Sequence, residues 1–158
     1  TLLKLPGDGH PMLKEVKGEE ILERTAPRGE GGTPLNRDYQ ILRLEDIFMD
    51  YAGGFTPGHE IHSRLSRLET GMDVHLVNAG TQVEIHDEDH FPVSRLSKKA
   101  SEVWGPRLES VQNARVLAML QRTRQDPDEG FRARIQADHW ELPLLELRYS
   151  PVDMKSAY

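Results

Sequence analysis

The hydrophobic period of this chain changes along its length, and the changes mark its elements. Residues 1–38 hold no sustained period. Ten Gly and Pro residues fall between Pro6 and Pro34, and such punctuation permits only short elements. Glu19 to Arg24 can form a turn or two of helix around Ile21 and Leu22. Arg28-Gly29-Glu30-Gly31-Gly32-Thr33-Pro34 reads as a loop; it lacks the Gly-Lys-Ser/Thr ending of a phosphate loop. From Tyr39 the pattern firms. Tyr39, Ile41, Leu42 and Leu44 predict a short strand. Ile47, Phe48 and Tyr51 fall at helical spacing over Glu45 to Tyr51, stopped by Gly53-Gly54. After Thr56-Pro57-Gly58-His59, a helix start, Ile61, Leu65 and Leu68 form one apolar stripe that ends at Gly71.

Beyond Gly71 the period becomes two. Val74, Leu76, Val83 and Ile85 alternate with polar residues around Asn78-Ala79-Gly80, a hairpin pattern. His86 to His90 is the next turn, and Phe91, Val93 and Leu96 begin a third strand. Ser97 then predicts an N-cap for a helix over Lys98 to Glu109, with Ala100, Val103, Trp104 and Leu108 on its inner face. Gly105-Pro106 must kink that helix or divide it. Val111 to Arg122 alternates less cleanly and is read as a strand, with a helix over its centre as the alternative. Gln125 to Gly130 is a loop. Phe131 to Tyr149 is the last strand region, with Phe131 as an anchor and Pro143 suggesting an edge or bulge.

These elements predict a mainly β, α+β domain: a small curved antiparallel β-barrel-like body with one or two helices. The expected organisation is an irregular Gly/Pro-rich segment (1–38), a helical lead-in packed on the barrel (39–70), the β-rich domain (71–149) and a tail (150–158). No repeat is visible.

Composition narrows the classes of function. The chain has no cysteine, which removes disulfides, thiol nucleophiles and thiolate metal sites and fits a reducing, cytoplasmic setting. No apolar run approaches a membrane span, and no leader pattern opens the chain. It begins at Thr1, which suggests a lost initiator Met or a piece of a longer protein. Net charge is −6, unevenly placed: residues 1–90 carry nine positive and seventeen negative charges, and residues 91–158 eleven and nine. The total argues against strong nucleic-acid binding, yet a local basic face in the second half remains compatible with it.

The seven histidines do not form a recognisable metal centre. His59 and His62 are three apart, whereas a zinc-protease helix needs four. His86 and His90 flank three acids in a turn. No Gly-x-Ser-x-Gly elbow is present. The expectation is therefore no enzyme, no metal and no cofactor; a hydrolase built on His59 and His62 is the weakest reading.

One resemblance covers roughly residues 65–149. It is carried by Gly71-Met72-Asp73-Val74-His75-Leu76, Pro92-Val93-Ser94-Arg95-Leu96-Ser97-Lys98-Lys99, Ala114 to Arg122 and Asp138-His139-Trp140-Glu141-Leu142-Pro143-Leu144-Leu145-Glu146-Leu147. Their order resembles the C-terminal accessory region of bacterial RecQ-type DNA helicases. There a Val-Gly-Arg-Leu-(Ala/Ser) strand precedes a Val-x-Ala-(Met/Ile)-x-x-Arg strand and a closing Trp-Glu strand. The middle part is similar to a HIRAN module, a small β-barrel of DNA-repair helicases. Ser94 stands where the pattern has Gly, so any backbone approach there meets a side chain. The helicase motor motifs are absent from this chain.

The resemblance implies a non-catalytic nucleic-acid-binding module beside a helicase motor, with DNA, single-stranded or a strand end, bound weakly. Arg95, Lys98 and Lys99 gather at a predicted helix start, where phosphates are favoured; Arg95 could instead pair with Glu84 or Asp87. Arg122 and Arg124 are further phosphate candidates. Tyr51 and Phe55, beside glycines, are stacking candidates, whereas Trp104 and Trp140 are expected in the core. The alternative is a protein-interaction module with an acidic first half and an exposed edge near Leu144 to Leu147.

Overall fold

A computed structural model describes residues 1–5, 12–15 and 38–150. The helical turn expected at Glu19–Arg24, the loop at Arg28–Pro34 and the last eight residues lie outside the described part. The elements are β1 (Leu2–Leu5), β2 (Met12–Glu15), β3 (Tyr39–Ile41), α1 (Glu60–Arg67), β4 (Asp73–Ala79), β5 (Gln82–His86) and β6 (Pro92–Arg95). They continue with α2 (Lys98–Trp104), β7 (Val111–Thr123), α3 (Glu129–Arg132) and β8 (His139–Tyr149).

The protein is mainly β, a small α+β domain with eight strands in one curved antiparallel sheet. The 13-residue β7 organises it. One edge pairs with β8 along its length. The other is shared: Ala114 and Arg115 pair with β4, and Met119 to Gln121 with β1. The strands β4, β5 and β6 follow as a meander. The sheet is unclosed, but residues 42–48 span the gap. Leu42 N–H donates to Leu145 O, Phe48 N–H to Arg95 O and Ser97 N–H to Asp46 O, and Ile47 bridges to Leu96. Among the described residues no helix is long and apolar enough to cross a membrane.

The imperfect alternation of β7 and β8 has a physical cause. Trp140, Leu142 and Leu144 are buried on one face of β8, and Leu145 and Leu147 on the other. The polar partners swap in step, from His139 and Glu141 to Glu146 and Arg148. A register shift in β7 between Val116 and Ala118 keeps the pair aligned across this change. The hairpin therefore buries first one face and then the other, and its centre reads as a continuous apolar run.

Five expectations are corrected. β1 and β2 lie within the segment read as irregular. Glu45 to Tyr51 is not helical; two 3-10 turns, Leu44–Asp46 and Ala52–Gly54, flank an extended Ile47. Ile47 and Phe48 bond to β6, and that long-range pairing overrides helical spacing. Phe131 anchors no strand; it is 48% exposed in α3, and β8 begins only at His139. The edge near Leu144 to Leu147 is covered, since β8 lies between β7 and β3 there. Ser94 is 1% exposed and paired in register with the buried Ile85, so its side chain does not stand in the way of a surface ligand.

The helices follow their sequence signals. His59 Nδ1 accepts the Ile61 N–H at 3.0 Å and caps α1, which buries Ile61 and Leu65. Ser97 Oγ accepts the Ala100 N–H at 3.1 Å and caps α2. Gly105-Pro106 divides the predicted long helix into α2 and a 3-10 segment, Gly105–Ser110.

Candidate nucleic-acid interface

The turn from Phe48 to Phe55 has a buried side and an exposed side. On the buried side, Trp140 Nε1 donates to Met49 O at 2.8 Å. Its ring leaves no room at Gly53, where a Cβ would come within 2.8 Å of the indole. Gly53 is required for that contact, and Gly53 O accepts the N–H groups of Gln136 and Ala137. Arg122 donates to Asp50 Oδ1 at 3.1 Å and to Thr1 Oγ1 at 3.1 Å. The turn is thus tied to β8 and β7 from below.

On the other side five rings, Phe48 and His59 exposed and the rest half-buried, form a continuous row. Phe48 and Tyr51 lie 6.4 Å apart, Tyr51 and Phe55 5.5 Å, Phe55 and His59 4.5 Å, and His59 and Phe91 6.5 Å. Of this row the sequence pattern marks Tyr51 and Phe55, beside their glycines, as stacking candidates. Phe91 joins from the start of β6, which no local pattern reveals.

An arginine covers a ring near each end of this row. Arg64 lies 4.9 Å over Phe91 and Arg95 5.1 Å over Tyr51. Their electrostatic settings differ. Arg64 is bound by Glu60, Asp87 and Asp89. Arg95 stands opposite Glu84 in the β5–β6 register, yet it makes no ion pair among the described residues. Glu84 bonds to His86 instead, at 3.0 Å, and Asp87 is engaged by Arg64. The pairing of Arg95 with Glu84 or Asp87 is therefore not formed. Burial lifts the Tyr51 phenol above its ordinary value; Glu84 adds to this and Arg95 pulls against it. The ring under Arg95 is neutral at pH 7.

The remaining nominated cations separate. Lys98 and Lys99 follow directly beyond Arg95, exposed and without an ion pair among the described residues. Arg122 is 8% exposed and committed to Asp50, which removes it as a phosphate contact. Arg124 lies beyond the end of β7, 3.6 Å from Asp138. Nothing brings it to the Arg95 side of the turn. Trp104 and Trp140 are both in the core.

His59 and His62 have local structural contacts: one caps α1, and the other places Nε2 3.2 Å from Phe55 O. Among the described residues no group of three or more His, Asp or Glu is arranged to hold a metal ion. Comparison with protein-family models, curated proteins and solved structures finds no match to this chain.

Proposed function

We propose that this domain is a non-catalytic module that binds an unpaired nucleic-acid strand, with DNA in a helicase-linked repair or defence setting as its context. The observation that carries the reading is Arg95: a guanidinium stacked on a half-buried tyrosine, with no carboxylate partner among the described residues, near the head of an aromatic row that runs from half-buried to exposed. Such rows hold bases by stacking without sequence preference, at about 1–3 kcal/mol per base. Arg95, Lys98 and Lys99 supply phosphate contacts along the same side, which position a strand without reading its sequence.

The test is a titration of labelled single-stranded and duplex DNA over a range of salt. Three phosphate contacts on a single strand predict a log–log slope of roughly −2. Repulsion from the acidic first half holds affinity to the micromolar range, on the order of nonspecific binding. Charge reversal of Arg95, Lys98 and Lys99 together removes binding while leaving the fold intact. Equal binding by that triple variant and the parent would make the cluster an ordinary solvated face.

The interaction-module reading keeps one supporting observation, the acidic group of Glu60, Asp87 and Asp89 around Arg64. That group already has an internal cation, which weakens its pull on a basic partner. No DNA binding even at low salt would bring this reading forward.

A further inference from the structure

Of the two histidines at the start of α1, one makes a bond that a proton would break. The Ile61 N–H is among the donors that a helix start leaves unpaired, and His59 Nδ1 accepts it at 3.0 Å. That nitrogen is therefore unprotonated, and the ring hydrogen is on Nε2. A charged imidazole has two N–H groups and no acceptor, so a charged His59 cannot cap the helix. Its charge would also stand at the positive end of α1. His62 differs. Its Nε2 lies 3.2 Å from Phe55 O. A carbonyl only accepts, so this nitrogen keeps its hydrogen in the neutral and the charged ring alike.

The elements around His59 hold no ready partner for its charge. On α1, Glu60 is bound by Arg64 at 2.8 Å. In the β5–β6 turn, Arg64 also takes Asp87 at 3.2 Å and Asp89 at 2.8 Å. Glu88 of that turn is exposed, and His90 stacks on His75 at 5.2 Å. In the turn from Phe48 to Phe55, Asp50 is held by Arg122, and the Tyr51 phenol is neutral. Arg64 itself lies 4.9 Å over Phe91, a fixed cation at the same end of the row.

His59 is also the link in that row. Its exposed ring lies 4.5 Å from Phe55 and 6.5 Å from Phe91. Among the described residues no other ring contacts both. The cap bond fixes which way this exposed ring faces, so the state of Nδ1 and the continuity of the row are tied together.

We infer that His59 is a proton-operated latch on the aromatic row, a regulation that rests on the strand-binding reading above. Neutral, it caps α1 and joins Phe55 to Phe91. Charged, it gives up the Ile61 N–H and turns to solvent, which divides the row and weakens the hold on a strand.

The experiment uses the full chain and an oligothymidylate of ~10 nucleotides at low salt. Thymine does not titrate between about pH 7.5 and about pH 5.5, where imidazoles do. The parent's affinity falls about fivefold over that interval, the scale of one lost stacked base. Attraction of phosphates to newly charged imidazoles predicts the opposite, tighter binding in acid. His59→Asn caps through a side-chain oxygen that does not titrate. Lacking the ring, it binds more weakly than the parent at the higher pH, and its affinity does not fall in acid. Circular dichroism at both pH values confirms that each protein is folded. A second readout needs no nucleic acid: the parent's Ile61 amide proton moves upfield as the His59 ring titrates, and in His59→Asn it stays in place. If the parent's Ile61 amide does not move, if the parent binds more tightly in acid, or if His59→Asn loses affinity as the parent does, the latch is wrong and strand binding stands. If the parent binds no oligothymidylate at the higher pH, the strand-binding reading itself fails and the latch fails with it.

Discussion

Arg122 and Arg95 stand on two sides of one turn, and the turn gives them opposite environments. Arg122 points beneath it, is 8% exposed and meets Asp50, Thr1 and Met49. Arg95 lies above it, half-buried, on the face of Tyr51 and without a carboxylate partner among the described residues. Their local sequences are alike, each an arginine at the end of an apolar strand. A buried ion pair of the first kind contributes to the interior, and breaking it leaves a charge stranded. A guanidinium of the second kind is desolvated on one side and unneutralised, which makes it available to an external anion. The lesson is that the partner, not the residue type, separates a structural arginine from a binding one.

The largest expected effect breaks the buried side. Asp50→Ala leaves Arg122 without its counter-ion and lowers stability by about 3 kcal/mol. A loss of unfolding free energy in denaturant titration of less than a third of that would show the pair to be well solvated. Next comes the wall under the turn: Gly53→Ala drives a methyl into the Trp140 ring and costs about 2 kcal/mol, read by thermal melting and by the indole fluorescence.

On the exposed side the expected effect is on binding. Arg95→Ala weakens a single strand about tenfold and lowers the salt slope by roughly 0.7, while unfolding changes by less than about 0.5 kcal/mol. A stability loss as large as that of Asp50→Ala would remove the contrast between the two arginines.

A second buried charge extends the comparison across β3, β7 and β8. Tyr39 Oη donates to Glu146 Oε2 at 2.6 Å, and Arg115 pairs with Glu146 at 2.9 Å. Burial, then the bond to Glu146 and its charge, hold the Tyr39 phenol well above its ordinary value. The folded protein keeps that proton where the unfolded chain loses it, near pH 10. The folded state then binds more protons, so stability is intact below about pH 10 and falls as pH rises further. Tyr39→Phe flattens this alkaline fall, which chemical denaturation at a series of pH values would show. The smallest effect is at α2: Lys98→Glu with Lys99→Glu gains a few tenths of a kcal/mol by matching the helix dipole, and weakens strand binding.

Much of the β-rich body was legible because its signals are local. Alternation marked β4, β5 and β6, and the positive φ of Gly80 shows why the hairpin turns there, one residue later than the alternation suggests. Ser97 and His59 act as caps, and Gly105-Pro106 divides a helix as its missing donor requires. The candidate site was half legible. Arg95, Lys98 and Lys99 are neighbours in sequence, and Tyr51 and Phe55 are close to glycines. Phe91 and Arg64 could not be assigned to the same side, because each arrives there through a strand or helix that only the tertiary fold places.

What the sequence determined by itself was the set of short-range choices: caps, turns, breakers, the period-two strands and the absence of thiol chemistry. These depend on sterics and hydrogen bonds within a few residues. The tertiary structure decided the rest. It drew Phe48 out of a helical pattern by pairing it with Arg95 O, enlisted β1 against β7 with β2 beyond it, and sheltered Leu144 to Leu147 between two strands. It also sorted two arginines into opposite roles. These outcomes turn on long-range pairing and on which charges share low-dielectric space, and both arise only when segments far apart in the chain meet.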